Sequence, residues 1–220
     1  CRIGFIPKDT DVRVGDTVSA RNISISNVAV VTALIDTLRA SVGGLSGPFT
    51  PGAANVAAGT SGQVSVALNT SAAGVFTQNG NVAFTSHNAD MADVGAGANA
   101  PVQVTAQVNR LANADFELLA GTGQLSDLGN GTYVLDLGSL ALGSNGRWSL
   151  QIDNDVTGPA DHLRGTFNLG SADDFTLGGF GDVDDLAAGQ ARDGLDVEFS
   201  AAHLGSFQDE VAFSGFSFNA

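Results

Sequence analysis

Residues 57–84 read AAGTSGQVSVALNTSAAGVFTQNGNVAF and residues 187–213 read AAGQARDGLDVEFSAAHLGSFQDEVAF, so the chain carries one pattern twice. Val64 aligns with Leu195 near the start of this pattern. Phe84 aligns with Phe213 at its end, after a gap in the second copy, because the first copy has a slightly longer loop in between. Apolar residues alternate with polar ones in both copies, which is typical of strands with one buried face. A repeat of this length predicts two similar domains in tandem.

The repeat extends to both sides of this stretch, since Ile23 and Ile25 align with Leu150 and Ile152 in the same alternating pattern. Short apolar runs bounded by glycine, asparagine and aspartate predict an all-β protein. We therefore predict two tandem immunoglobulin-like β-sandwiches, each of about seven short strands. The first spans residues 1–108, and the second spans residues 109–220 with an extra hairpin at 109–137.

Four local predictions depend on turn residues and on the comparison of the two copies. Residues 28–42 fit either a helix or a loop followed by a strand, and Gly158-Pro159 in the second copy favours the loop and strand. Residues 76–84 are interpreted as a hairpin and residues 91–101 as a linker of small residues. Within the extra hairpin, we expect residues 116–119 to pair with residues 132–137 across the turn Gly129-Asn130-Gly131.

The second copy ends before a counterpart of residues 102–108, the predicted last strand of the first sandwich, so it lacks its closing strand. One interpretation is that the sequence was cut from a longer array of repeats. The other is that a strand of a second copy completes the sandwich edge. The donor would then be the 109–137 hairpin or the segment around Cys1. Candidate assembly residues lie in the last strand: Val211, Phe213, Phe216 and Phe218.

Cys1 is the only cysteine and cannot form an internal disulfide. Three roles stay open: the first residue of a fragment, a lipid-bearing residue of a mature lipoprotein, or a partner in a disulfide between chains. The net charge is −14, and residues 109–220 carry −13 of it. This charge excludes nucleic acid and anionic membranes as partners bound through surface charge. The sequence contains no run of about 18 apolar residues, so we predict no membrane span.

The sequence predicts no enzyme. His87, His162 and His203 lie in unrelated contexts, and neither HExxH nor GxSxG occurs. Calcium is a possible ligand and no cofactor is required, because aspartates in glycine-containing loops supply the oxygens that Ca²⁺ prefers. Ordinary solvated acids are the alternative. The candidate calcium ligands are Asp153, Asp155, Asp173, Asp174, Asp182, Asp184 and Asp185.

Several segments resemble the bacterial "choice-of-anchor D" type repeats, which are related to immunoglobulin-like ASH/Hydin-type sandwiches. These segments are VRVGDT at 12–17, ISISN at 23–27, VTAQVNRLA at 104–112 and the run from Phe167 to Gly189. The first copy has GPFTP at 47–51 in place of the acidic ADDF. The resemblance implies an exported bacterial protein that is attached to the cell surface or associated with a matrix.

We therefore expect a non-enzymatic, extracellular structural protein of the bacterial surface or matrix. It would self-associate into a homopolymeric fibre or sheath, with calcium at the joints as an option. The alternative is an adhesin or carbohydrate-binding module that recognises a polysaccharide. Exposed aromatic residues would favour the alternative, and the candidates are Trp148 and Tyr133. We expect Trp148 to belong to the core.

Overall fold

The computed structural model describes residues 2–4, 12–31, 35–170 and 174–219. Every regular element among them is a β-strand, which confirms the all-β class. The chain forms two compact units, Cys1–Asn109 and Arg110–Ala220. Both are sandwiches of the immunoglobulin-like kind, built mainly from antiparallel strand pairs. In the described part of the chain, no helix has the length and apolar character needed to cross a membrane.

The first unit packs a larger sheet against a smaller one. Its described strands are β1 (Arg2–Gly4), β2 (Arg21–Ser26), β3 (Thr37–Gly43), β4 (Phe49–Pro51), β5 (Ala53–Val56), β6 (Ser61–Leu68), β7 (Gly74–Asn88), β8 (Met91–Gly95) and β9 (Ala100–Val108). The larger sheet has the order β1-β9-β7-β3-β5, with β8 also paired to β7, and the smaller sheet has the order β2-β6-β4. Only β1 and β9 pair in parallel among these strands. Val64, Val66, Val104 and Val108 are fully buried between the sheets.

The second unit follows the same plan and adds strands at its N-terminal end. Its described strands are β10 (Ala114–Ala120), β11 (Gln124–Gly129), β12 (Thr132–Asp136), β13 (Asn145–Asn154), β14 (His162–Leu169), β15 (Phe175–Gly178), β16 (Val183–Leu186), β17 (Ala191–Ser200) and β18 (Val211–Phe218). The sheets have the orders β10-β13-β17-β15 and β16-β14-β18, and β11 and β12 form a separate hairpin. Trp148, Ile152 and Leu195 are almost fully buried in the core.

The loop-and-strand interpretation of residues 28–42 is confirmed for the described residues, because β3 begins at Thr37. The predicted hairpin at 76–84 is wrong, since β7 runs without a turn from Gly74 to Asn88. Its turn-like residues 78–81 are paired with β9, and this ladder overrides local turn preference. The predicted linker at 91–101 is also wrong in part, because residues 91–95 form β8 on the edge of β7.

The turn at residues 129–131 is confirmed. Asn130 adopts a φ of 56° there, and Gly129 and Gly131 also have positive φ, which suits a tight hairpin turn. The predicted partners are wrong, however. Residues 116–119 belong to β10, which pairs with β13, whereas β12 pairs with β11. The extra segment therefore supplies one strand to a sheet of its own unit and a separate hairpin.

Candidate assembly site

Strand β18 is the edge of its sheet in the second unit. Among the described strands it pairs with β14 alone. Its counterpart in the first unit is the second half of β7, residues 82–88, which pairs with β3 on one side and mainly with β8 on the other, whereas β9 pairs with the preceding residues 74–82. In the first unit, the inward side chains of β9 are buried core residues: Val102, Val104, Ala106 and Val108. No described strand of the second unit occupies the corresponding place.

A groove of about 1260 Å³ opens beside β18. Its floor consists of inward side chains from both sheets of the second unit: Phe116, Leu150, Leu163, Phe167, Val197 and Phe199. One wall is β12 with residues 137–142, and the other is β18 with the loop at 203–210. The interior of the sandwich is therefore reachable beside the loop at 203–210, whose counterparts at the start of β7 pair with β9 in the first unit.

Three of the four predicted assembly residues line this groove. Val211 and Phe213 lie at partly buried positions, and Phe213 packs on Phe167 at 4.8 Å between ring centroids. Phe216 also lines the groove and is 56% exposed. Phe218 has a different environment, because its ring lies 3.4 Å from the guanidinium carbon of Arg164.

The hairpin of β11 and β12 contributes a wall that sequence reasoning did not assign. Leu125 and Leu135 pack against the buried core of the second unit. The hydroxyl of Tyr133 donates a hydrogen bond to Oδ1 of Asp115 at 2.5 Å, which ties the hairpin to β10. Burial of the ring and this hydrogen bond raise the pKa of Tyr133. The hairpin is thus engaged with its own unit and is not a free donor segment.

The predicted calcium ligands that the structure describes lie on different strands and loops of the second unit. The described residues contain no group of three or more acids, histidines or cysteines that could hold a metal ion. Asp182 and Asp184 accept hydrogen bonds through their backbone carbonyls, from Arg192 and Arg164 respectively. Asp185 pairs with Nδ1 of His162 at 2.5 Å. Asp174 is exposed, and Asp173 and Cys1 lie outside the described residues. The calcium site stays a prediction.

Asp153 is the acid with the most unusual environment among them. Its Oδ1 is buried without a hydrogen-bond partner in the described structure. Burial and the neighbouring charges of Asp115, Glu117 and Asp155 raise the pKa of Asp153 to about 6. This carboxyl therefore changes its charge in a mildly acidic range rather than near pH 4.

The aromatic and histidine candidates are engaged in structural contacts. Trp148 is 1% exposed, and its Nε1 donates to the carbonyl oxygen of Thr122 at 2.7 Å, so it is a core residue as predicted. His87 pairs with Asp93 at 2.6 Å, and Asp93 also accepts a hydrogen bond from Arg39. His203 lines the groove.

No family model matches the chain, and no curated protein matches it. Among solved structures, the chain is similar to the crystal structure of the YadV chaperone. The sequence identity is 12%, over 97% of this chain and 89% of that chain, with a TM-score of 0.32. A similarity at this level carries no argument about fold or function. The resemblance to choice-of-anchor D repeats stays a prediction.

Proposed function

We propose that this is a non-enzymatic structural protein of the bacterial surface or extracellular matrix that self-associates at the open edge of its second unit. The observation that supports this proposal is the edge strand β18 beside a groove of about 1260 Å³. An unpaired strand edge offers backbone donors and acceptors to another chain, and the groove offers apolar surface to its side chains. A strand-forming segment of a second copy would satisfy both.

The internal comparison supports this interpretation of the groove. In the first unit, β9 lies beside residues 74–82, the counterparts of the groove loop and of the start of β18, and its inward side chains are buried. Burial of such side chains is the dominant favourable term in folding and association, at about 25 cal/mol per Å² of apolar area. The second unit forgoes this burial in the described structure, and a complementing strand would restore it.

The test measures assembly as a function of protein concentration, by light scattering and negative-stain electron microscopy. Phe216→Asp places a charge at the edge of the groove, on the exposed face of β18 where Phe216 is 56% exposed, so the fold should tolerate it. Leu128→Asp is the matched control, since Leu128 is 64% exposed in the same unit and does not line the groove.

We expect polymers from the wild-type protein and from the control, and monomers from Phe216→Asp. Wild-type protein that stays monomeric up to high micromolar concentration would contradict the proposal. A parallel series in EDTA tests the separate prediction that calcium strengthens the joints: loss of polymers in EDTA would support it.

An adhesin or polysaccharide-binding module is the alternative from the sequence. Trp148 and Tyr133, the two aromatic residues that would have favoured glycan binding, are engaged in contacts within the protein. Trp148 is buried, and the hydroxyl of Tyr133 is hydrogen-bonded to Asp115. Retention of monomers on a glycan array would support this alternative over self-assembly.

A further inference from the structure

The loop that follows β2 in the first unit exposes apolar side chains to solvent. Val28, Val30 and Val31 are 89%, 80% and 72% exposed. Single exposed valines are ordinary, but a contiguous exposed apolar segment marks a site of interaction. Valine also favours the extended conformation that a strand edge accepts. We call residues 28–31 the valine segment.

Side-chain hydrogen bonds fix the chain before and after the valine segment. The side chain of Asn27 donates to the carbonyl oxygen of Val56 at 3.0 Å and accepts from the backbone N–H of Ala29 at 3.1 Å. Before β3, the carboxylate of Asp36 accepts hydrogen bonds from Ser86 and Asn88 at 2.6 and 3.0 Å. The hydrogen bond from Ser86 lowers the pKa of Asp36 most, and the hydrogen bond from Asn88 lowers it further.

The fold itself does not require valines at these positions. In the second unit, Asn154 takes the place of Asn27 at the corner where the chain leaves the strand. Its side chain donates to the carbonyl oxygen of Leu186, the counterpart of Val56, at 3.0 Å. When the two copies are aligned on Asn27 and Asn154, the positions of Val28, Val30 and Val31 correspond to Asp155, Thr157 and Gly158. The same corner therefore forms without valines, and the exposed valines need another explanation.

We infer that the valine segment of one copy occupies the groove of the second unit of another copy. This inference rests on the proposed function and names its partner. In the first unit, valines of β9 fill the equivalent place, so valine side chains have the right size. Four extended residues span about 13 Å, which is enough to lie along part of the loop at 203–210 and the start of β18.

Charge favours contact between unlike units. Residues 1–109 carry five basic and six acidic side chains, a net charge of −1. Residues 110–220 carry four basic and 17 acidic side chains, a net charge of −13. Contact between two second units would bring like charges together, whereas contact between a first and a second unit avoids most of this repulsion.

The inferred contact is heterologous, because the segment and the groove are different surfaces of the same chain. Each copy then offers one segment and one groove. Unless the rotation between copies closes a ring, such contacts produce an open chain of subunits.

The test uses the double variant Val28→Asp/Val30→Asp and the groove variant Phe216→Asp. The matched control is Val75→Asp/Val94→Asp, because these valines are 67% and 60% exposed in strands of the first unit, outside the valine segment. Circular dichroism and thermal unfolding confirm that each variant is folded. Sedimentation velocity measures the size distribution of each variant and of mixtures.

We expect the valine-segment variant to raise the concentration for half-assembly at least ~10-fold, because burial of a single valine is worth about one tenfold step in affinity. The control should assemble as the wild type does. A 1:1 mixture of the valine-segment and groove variants should form dimers and nothing longer, since each mixed pair has one intact segment and one intact groove.

Three outcomes would overturn the inference, and they differ in whether the proposed function survives. If the valine-segment variant polymerises normally while Phe216→Asp does not, another segment fills the groove, and the proposed function survives. If the wild type does not assemble at all, the proposed function fails together with the inference. A mixture of the two variants that remains monomeric would also contradict the heterologous contact.

Discussion

Asn27 and Asn154 perform the same structural role in the two units. Asn27 directly follows β2, and Asn154 ends β13, the counterpart of β2. Each donates through Nδ2 to the backbone carbonyl oxygen of the residue before an Ala-Ala-Gly turn, Val56 or Leu186, at 3.0 Å. The backbone carbonyl oxygens of Asn27 and Asn154 accept hydrogen bonds from the backbone N–H groups of Gly59 and Gly189, at 2.8 and 2.9 Å. Both glycines adopt a φ of 70°, a conformation that side chains with a Cβ rarely take.

Asn154→Asp should destabilise the second unit by about 3 kcal/mol or more, because a buried carboxylate cannot donate to the carbonyl oxygens of Asp161 and Leu186. Urea unfolding followed by fluorescence of Trp148, the only tryptophan, measures this unit alone. Asn27→Asp is the matched control and should leave the fluorescence transition unchanged. An unaltered unfolding transition in Asn154→Asp would contradict the stabilising role assigned to the hydrogen bonds of Asn154.

Asp153→Asn should stabilise the second unit at neutral pH. The pKa of Asp153 is raised to about 6, so the folded state holds this proton more tightly than the unfolded state does. Wild-type stability therefore falls as the pH rises from about 4 to 6, and the variant lacks this penalty. We expect a gain of about 1 kcal/mol at pH 7.5, allowing for partial exposure, and none near pH 4.

The measurement for Asp153→Asn is chemical unfolding at several pH values. Asp193→Asn is its control, because it removes the same charge from an exposed position of the same unit. A stability gain at pH 7.5 that persists unchanged at pH 4 would exclude titration of Asp153 as the cause.

Tyr133→Phe should loosen the hairpin of β11 and β12 without unfolding the unit. The variant loses the hydrogen bond to Asp115 but keeps the edge contact of its ring with Phe116, at 5.2 Å between centroids. Loss of a hydrogen bond to a charged acceptor costs about 1.5 kcal/mol. Amide hydrogen exchange in residues 124–136 should therefore accelerate ~10-fold. Exchange in β17, a core strand of the same unit, serves as the control, and equal acceleration there would indicate destabilisation of the whole unit.

Arg192→Lys should destabilise the loop at 179–182 because one guanidinium donates to three backbone carbonyls. These belong to Gly179, Gly181 and Asp182, at 2.6 to 3.0 Å. A lysine ammonium does not reproduce this planar arrangement, and we expect a loss of about 1 kcal/mol in thermal unfolding. Arg147→Lys is the control, since Arg147 forms an exposed ion pair of small value. Equal effects of the two substitutions would contradict the role assigned to Arg192.

The repeat made much of the fold predictable, because alternation and spacing are local properties. The strand predicted at the end of residues 28–42 is β3, and the lack of a β9 counterpart among the described strands agrees with the comparison of the copies. The continuity of β7 was not predictable, since its residues 78–81 have turn chemistry and become strand only through pairing with β9. Strand β8 has no apolar alternation and forms on the edge of β7.

The groove was predictable only in part. Val211 and Phe213 followed from the repeat, and Phe216 was a candidate in the same predicted strand. The opposite wall comes from residues 131–142, most of which have no counterpart in the first copy for comparison. The equivalence of Asn27 and Asn154 could be predicted from the sequence, because each lies two positions after an aligned isoleucine, Ile25 or Ile152. Their hydrogen bonds could not be derived from that alignment, since the carbonyl acceptors are distant along the chain.

The parallel pairing of β1 with β9 has a mechanical consequence. Arg2, Ile3 and Gly4 lie opposite Gln103, Val104 and Thr105, so the beginning of the first unit is bonded alongside its last strand. Tension applied to the two ends of that unit pulls these strands along their own axes in opposite directions. The hydrogen bonds between them are then loaded together in shear, rather than broken one after another as in the peeling of a hairpin. In a fibre under tension, this ladder would be the first element of the unit to bear the load.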